Sequence, residues 1–135
     1  MTSLPDDVRV LFEGPNYAHV ATVLPSGAPH TVPVWTTMHG DRIAFFTPPS
    51  SRKARNLASD GRVAISILDF EQPYHMASVR GSVAETLEGD AALEVIDALS
   101  DKYTGRPFPM RSGIIYLIEP EKAQSMHLPF EHTPA

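Results

Sequence analysis

The sequence predicts a mainly β protein with minor α content, in which six antiparallel strands close into a barrel. Short apolar or alternating runs recur between turn signals, and most connections between them are too short for parallel pairing. Thirteen prolines in 135 residues also leave little room for long helices. Closure into a barrel is expected because it removes the exposed edges of such a sheet.

Composition limits the class of protein. The chain is 42% hydrophobic and 20% charged, which is typical of one globular domain, taken as residues 1–135. A net charge of −5 argues against nucleic acid as a partner. The absence of cysteine excludes disulfides and thiolate ligands. No apolar run resembles a signal peptide or a membrane span, so we expect a cytoplasmic protein that does not bind membranes.

In the first third of the chain, the pattern predicts a helix followed by a hairpin. Apolar residues at helical spacing indicate a helix over 5–14, with a glycine as its stop. The β-rich runs 17–24 and 28–39 flank a Pro-Ser-Gly turn and predict two paired strands. Pro33 cannot donate to a ladder, so we expect an edge or a bulge there. A short buried strand over 43–46 follows.

The second half alternates strands with one long helix. Residues 62–70 and 76–88 have alternating patterns, and 89–103 carries an apolar stripe at helical spacing that ends in a tyrosine. The run 114–120 is apolar throughout and predicts a strand buried on both faces. Periodicity is lost after it, and we expect the tail, 126–135, to be either disordered or placed on a partner subunit.

The stretch 46–61 is the strongest candidate site. A strand that ends at Thr47 leads into prolines, and then into Ser50 and Ser51 as candidate N-caps of a short helix that Gly61 can close. Hydroxyls, a helix N-terminus and several cations together suit a phosphate. The alternative is a solvated basic face. Helical spacing turns Ala54, Leu57 and Ala58 inward and leaves four polar side chains on the other faces: Arg52, Lys53, Arg55 and Asn56.

Patterns for other chemistries are missing from the sequence. The six histidines form no zinc pattern, and we expect no metal site. There is no G-x-S-x-G elbow, no G-x-G-x-x-G motif and no P-loop. No catalytic residue is therefore assigned, and a bound cofactor is the expected source of any chemistry.

The order of motifs resembles the pyridoxamine 5′-phosphate oxidase-like superfamily, and most closely its branch that uses the deazaflavin coenzyme F420. The resemblance covers roughly residues 5 to 125. It is carried by the G-x-P-H-x-x-P-V-W run at 27–35, by Thr47 and S-R-K-A-R-N-L at 51–57, by V-R-G at 79–81, by K-Y-T-G at 102–105 and by the final E-P-E-K.

The resemblance implies a split β-barrel of the FMN-binding type that forms a homodimer with cofactor sites at the subunit interface. By position, the cofactor tail phosphate would be held by Thr47, Ser51, Arg52, Lys53 and Asn56. Backbone groups of Pro33, Val34 and Trp35 would run along the flavin-like ring. Trp35 has an alternative role in packing.

The implied function is an oxidoreductase that binds F420 and transfers hydride to an unsaturated small-molecule substrate. FMN is the alternative cofactor, but FMN-using oxidases of this superfamily carry an extra basic residue on the strand matching 31–37, and this chain has none. Many members of the deazaflavin branch begin the last strand with arginine. Here Gly113 takes that position, and whether Arg111 substitutes is open. A non-catalytic cofactor carrier is a further alternative, because no proton donor is evident.

Overall fold

The computed structural model describes residues 3–133, and in this part of the chain three helices accompany seven strands. None of these helices is both long enough and apolar enough to cross a bilayer. In chain order the elements are α1 (Asp6–Glu13), β1 (Ala18–Val23), β2 (Pro29–Val34), β3 (Thr37–His39), β4 (Arg42–Thr47), α2 (Arg52–Ser59), β5 (Arg62–Leu68), β6 (His75–Leu87), α3 (Gly89–Thr104) and β7 (Ile114–His127).

All seven strands form one antiparallel sheet in the order β2-β1-β5-β6-β7-β4-β3. The two edge strands, β2 and β3, are separated in the chain only by Trp35 and Thr36. The sheet must therefore curl until its edges meet, which gives the split barrel that the sequence predicts. The predicted count of six strands is wrong, because this two-residue corner divides the predicted strand 28–39 into β2 and β3. Pro33 lies on an edge strand, as predicted.

The long strands β6 and β7 form the centre of the sheet. Their pairing shifts register between Arg80 and Gly81 and again between Val83 and Glu85. Such irregularities bend strands and increase twist, which helps the sheet to curl. At the first of them, a Cβ added to Gly81 would lie 2.3 Å from the carbonyl oxygen of Glu119. Only glycine fits this close approach of two backbones.

The end of the chain differs from the expectation of lost periodicity after residue 120. β7 continues to His127, because its second half pairs with β6 from His75 to Arg80. Beyond it, the backbone N–H of Leu128 donates to the carbonyl of Tyr74, and the Phe130 ring lies 5.4 Å from the Tyr74 ring. Residues 128–133 thus lie on a loop of their own chain. The last two residues of the predicted tail, 134 and 135, are outside the described part.

Two apolar clusters lie on opposite sides of β4 and of the first half of β7. Alternate residues of these strands, such as Phe45 and Ile118, enter the barrel core with α1 and α2. The residues between them, such as Ala44 and Ile115, pack beneath α3. This confirms the prediction that the run 114–120 is buried on both faces.

The helices follow their predicted positions closely. α1 ends at Gly14, as predicted, and α3 buries the apolar stripe that begins at Ala92. Ser51 is the N-cap of α2, because its hydroxyl accepts from the backbone N–H of Ala54 at 3.0 Å. The C-cap is Asp60 rather than the predicted Gly61.

Candidate functional site

The junction of β4 and α2 builds one half of the site. Thr47 ends β4 with no exposed surface, and its hydroxyl lies 2.6 Å from that of Ser51. Ser51 in turn caps α2. These two hydroxyls fix the helix start relative to the strand, and the first-turn N–H groups of α2 lack intrahelical acceptors, as at every helix start. The result is an oriented, positively polarised helix end.

Hydrogen bonds of Asn56 also fix α2 against the barrel. Asn56 is 1% exposed, and its amide donates to the hydroxyl of Thr22 on β1 at 3.0 Å. Its side-chain oxygen accepts from Arg52 at 3.4 Å. The predicted inward face is therefore corrected: Asn56 is buried where Ala58 was expected, and Ala58 is exposed. Asn56 connects the helix to the barrel and steadies the guanidinium of Arg52.

Lys53 is the cation of this helix that stands out. Its side chain is half-buried, and loss of water around it lowers the pKa of its ammonium group below the ordinary value of 10.5. Among residues 3–133 no carboxylate lies within 4.0 Å of it, and none lies that close to Arg52 or Arg55 either. A partly desolvated cation without a counter-charge is stabilised by an anion. Arg55, by contrast, is exposed.

The corner between β2 and β3 builds the other half of the site. Pro33 is exposed, Val34 is buried in the barrel core, and Trp35 lies in an aromatic group outside it. The Trp35 ring is stacked on Tyr103 with a centroid distance of 5.1 Å and an interplanar angle of 6°. Phe108 meets it edge-on at 6.1 Å. One face of the indole is thus covered by protein, which favours the packing role of Trp35.

Phe46 connects the two halves. Its ring lies 6.2 Å from that of Trp35, and the next residue along β4 is Thr47. Pairing of β3 with β4 places Thr37 opposite Ala44. The end of β4, from which the chain enters α2, therefore lies close to the Trp35 side chain.

Two residues of this region, Tyr103 and Phe108, carry roles that the sequence analysis did not assign. Tyr103 was expected only in the apolar stripe of its helix, yet its hydroxyl bonds the backbone of Thr36. Phe108 packs against Trp35 and against Phe46 at 5.0 Å. The K-Y-T-G run was the available signal for Tyr103. Helical spacing predicts which face of the helix carries the tyrosine ring, but it does not predict which atom the hydroxyl bonds to.

Arg111 is held by its own chain. Its guanidinium forms two bonds with the carboxylate of Asp97, at 2.7 and 2.9 Å, and a third with the carbonyl of Phe108 at 3.0 Å. The same contact lowers the pKa of Asp97. Arg111 thus fastens the loop 105–113 to α3, which keeps Phe108 over the aromatic group.

An apolar hollow of about 460 Å³ lies on the outer face of β1, β5, β6 and β7. Exposed apolar side chains surround it, including Tyr17, Leu68, Phe70 and Met126, with 42% to 64% of their surface exposed.

The part of the chain that the structure describes holds no cluster of three or more His, Asp or Glu side chains suited to a metal ion.

Comparison with known proteins places this geometry among relatives. The family model described as pyridoxamine 5′-phosphate oxidase matches residues 4–127. A search of curated protein sequences found no match. Among solved structures, an F420 reductase superimposes with a TM-score of 0.79 at 29% identity, over 90% of this chain and 98% of its own.

Two further structures share the fold at lower identity. A conserved hypothetical protein from Mycobacterium tuberculosis has a TM-score of 0.76 at 21% identity, over 99% of this chain and 98% of its own. An FMN-binding protein from Nostoc punctiforme, related to pyridoxamine 5′-phosphate oxidase, has a TM-score of 0.68 at 18% identity, over 87% and 76%.

Proposed function

Because this chain belongs to the pyridoxamine 5′-phosphate oxidase family, we propose that it is an oxidoreductase that binds coenzyme F420 at the interface of a homodimer. The bound deazaflavin would supply a hydride to an unsaturated organic substrate. The observation that carries the proposal is Lys53: a half-buried ammonium group in the first turn of α2, with no carboxylate of residues 3–133 within 4.0 Å of it.

The α2 residues would hold the anionic tail of the coenzyme. Lys53 and Arg52 supply charge, and the capped helix start supplies oriented N–H groups. Thr47 and Ser51 share one short hydroxyl contact, which leaves lone pairs but few protons for a ligand. We therefore assign these two hydroxyls chiefly to shaping the helix start, and the cations to binding. Asn56, buried beneath, would keep Arg52 in position.

The backbone of Pro33, Val34 and Trp35 would carry the ring. Tyr103 already covers one face of the Trp35 indole. The deazaflavin ring would therefore contact the backbone of the edge strand β2 and not that indole face. The protein would act by fixing the ring and excluding water on one side.

F420 is favoured over FMN by two observations. The segment 31–37 carries no basic residue, and the F420 reductase structure is 29% identical over most of both chains. The FMN-binding relative, at 18% identity, supports only the fold.

The homodimer is supported by the apolar outer face. Tyr17, Leu68, Phe70 and Met126 leave a hydrophobic surface around the hollow, and a contiguous patch of this kind is typical of a protein interface. A second copy would cover it and add a wall to the cofactor site.

A non-catalytic carrier is the second candidate. It is favoured by the absence of His, Asp and Glu from the eight predicted site residues, which leaves no evident proton donor.

Titration with both cofactors tests the proposal. We expect F420 to quench the fluorescence of the single tryptophan, Trp35, with a lower dissociation constant than FMN. Stopped-flow oxidation of bound, reduced F420 by a panel of enones and quinones then separates enzyme from carrier. Binding without any substrate-dependent oxidation favours the carrier, and tighter binding of FMN overturns the choice of cofactor.

A further inference from the structure

The corner Trp35–Thr36 is held by side chains of α3 and not by the sheet. Thr36 is fully buried, and its backbone N–H donates to the hydroxyl of Tyr103 at 3.1 Å. The Tyr103 oxygen also lies 2.6 Å from the carbonyl of Asn16 and 3.2 Å from that of Thr36. Since a tyrosine has one proton, it donates best along the shorter contact and accepts from Thr36.

Lys102 holds the same corner through the carbonyl of Thr36. Its ammonium group donates to the carbonyl of Thr36, and also to those of Phe12 at 3.0 Å and Glu13 at 3.3 Å. The last two carbonyls lie in the final turn of α1, where a cation is favoured by the helix dipole. All three protons of the ammonium group thus have backbone acceptors, and one residue connects α1, α3 and the corner.

The ring of Tyr103 adds a third contact, because it stacks on Trp35 almost in parallel. Two adjacent residues of α3 therefore hold the two residues of the corner. Lys102 and Tyr103 both bond to the backbone of Thr36, and the Tyr103 ring also stacks on Trp35. Because β2 and β3 are the two edges of the sheet, these contacts also fix how the two edges meet when the barrel closes.

We propose that Lys102 and Tyr103 are positioning residues that fix the Trp35–Thr36 corner and thereby set the ring-carrying backbone of the site. The second half of this inference rests on the proposed function. The first half concerns this chain alone and is tested without any cofactor.

The number of hydrogen bonds that Lys102 can donate to the corner and to α1 depends on its charge. Burial lowers its pKa from 10.5 to about 8, against an opposing effect of the Glu13 carboxylate on α1. Above that pH the neutral amine keeps two protons for three carbonyls, so one contact is lost. The other titratable groups here are Tyr103, whose pKa burial raises above 10, and its neighbour Tyr17. Ordinary carboxylates change charge well below pH 6.5.

The fluorescence of Trp35, the single tryptophan, reports on the corner directly. We expect its emission in the cofactor-free protein to titrate between pH 6.5 and 9.5 with a midpoint of about 8. Lys102→Met should abolish this transition and, because it removes all three contacts, shift the emission at pH 7 at least as far from the parent's as the parent's own emission shifts by pH 9.5. The apolar replacement should still fold, because burial already disfavours the charge. Lys122→Met, the same change at an exposed lysine, should leave the titration intact. An emission of Lys102→Met at pH 7 that equals the parent's emission at the same pH would overturn the inference.

Binding of two probes tests the second half: F420, and 5-deazariboflavin, which has the 5-deazaflavin ring system without the phosphate tail. Lys102→Met should weaken both by the same factor, about tenfold, because a displaced backbone misplaces the ring. Tyr103→Phe, which keeps the stacked ring, should weaken both by a smaller factor. Lys53→Ala should weaken F420 alone.

The outcomes are distinguishable. If Lys102→Met binds 5-deazariboflavin as tightly as the parent, Lys102 does not position the ring and the second half of the inference fails. If the parent binds neither probe, the proposed function fails, and that half fails with it. The fluorescence titration still decides whether Lys102 fixes the corner.

Discussion

At the scale of single residues, two cations of this chain show how burial and pairing separate a structural role from a binding role. Arg111 is exposed and held by a bidentate carboxylate, so its charge is satisfied within the fold. Lys53 is half-buried, and residues 3–133 supply no carboxylate within 4.0 Å of it. Only the second arrangement leaves electrostatic free energy to be gained from an external anion.

Lys53→Ala should therefore weaken F420 binding by roughly 1.5–3 kcal/mol, the range for a hydrogen bond to a charged group. That corresponds to about ten- to more than a hundredfold in Kd, measured by fluorescence titration. The difference should shrink at high salt, since part of it is screened Coulomb attraction. Arg55→Ala is the matched control on the same helix and should change Kd little, because Arg55 is exposed. Equal Kd values for Lys53→Ala and the parent would mean that α2 presents only a solvated basic face.

At the scale of elements, the contact between β6 and β7 tolerates the least change. A methyl group on Gly81 would meet the Glu119 carbonyl oxygen at 2.3 Å, and a backbone atom in the middle of a sheet cannot move aside. Gly81→Ala should lower the free energy of unfolding by about 1–3 kcal/mol or more, measured by urea denaturation.

Gly61→Ala provides the matched control for this prediction. Its added Cβ would meet Val83 at an ordinary 3.7 Å, and the backbone there has no positive φ. We expect it to be neutral or to stabilise by up to about 1 kcal/mol, by restricting the unfolded chain. Equal losses in the two variants would show that the clash at Gly81 is relieved by local movement.

The elements also show what could be predicted from the sequence. Strand patterns, the apolar stripe of α3 and the Ser51 cap are local signals, and the structure confirms them. The corner at Trp35–Thr36 is not local, because the residues that hold it, Lys102 and Tyr103, lie 66 and 67 positions away from Thr36. The second half of β7 consists mostly of polar residues without a clear alternating pattern, and its pairing with β6 makes it a strand.

The candidate site follows the same division. The cationic helix at 51–56 could be predicted, because its N-cap and its charged side chains belong to residues that are adjacent in the sequence. The rotation of α2 could not, since it depends on a hydrogen bond from Asn56 to Thr22, 34 positions earlier. Nor could the stack of Tyr103 on Trp35, which covers one face of the indole.

At the scale of the whole molecule, the apolar outer face leads to a prediction about assembly. We expect light scattering at micromolar concentration to give twice the 14.8 kDa mass of the chain. Leu68→Glu places a charge in the hollow and should shift the protein toward monomers, with weaker F420 binding because the site would lose its second wall.

Val10→Glu is the control for the assembly prediction. Val10 is also an exposed aliphatic residue, 52% exposed against 42% for Leu68, but it lies on α1 and outside the hollow. It should leave the dimer intact. A parent protein of monomer mass would contradict both the dimer and the shared site.

The position of β7 has a consequence for the order of events during translation. β7 is the last of the described strands to be synthesised, yet it lies between β6 and β4 in the middle of the sheet. Until it emerges, β4 and β3 form a hairpin that has no strand pairing with β2-β1-β5-β6, and both β4 and β6 have an open edge. The nascent chain therefore cannot close its barrel before residues 114–127 have left the ribosome, and a product that stalls or is truncated before them exposes these two edges to aggregation.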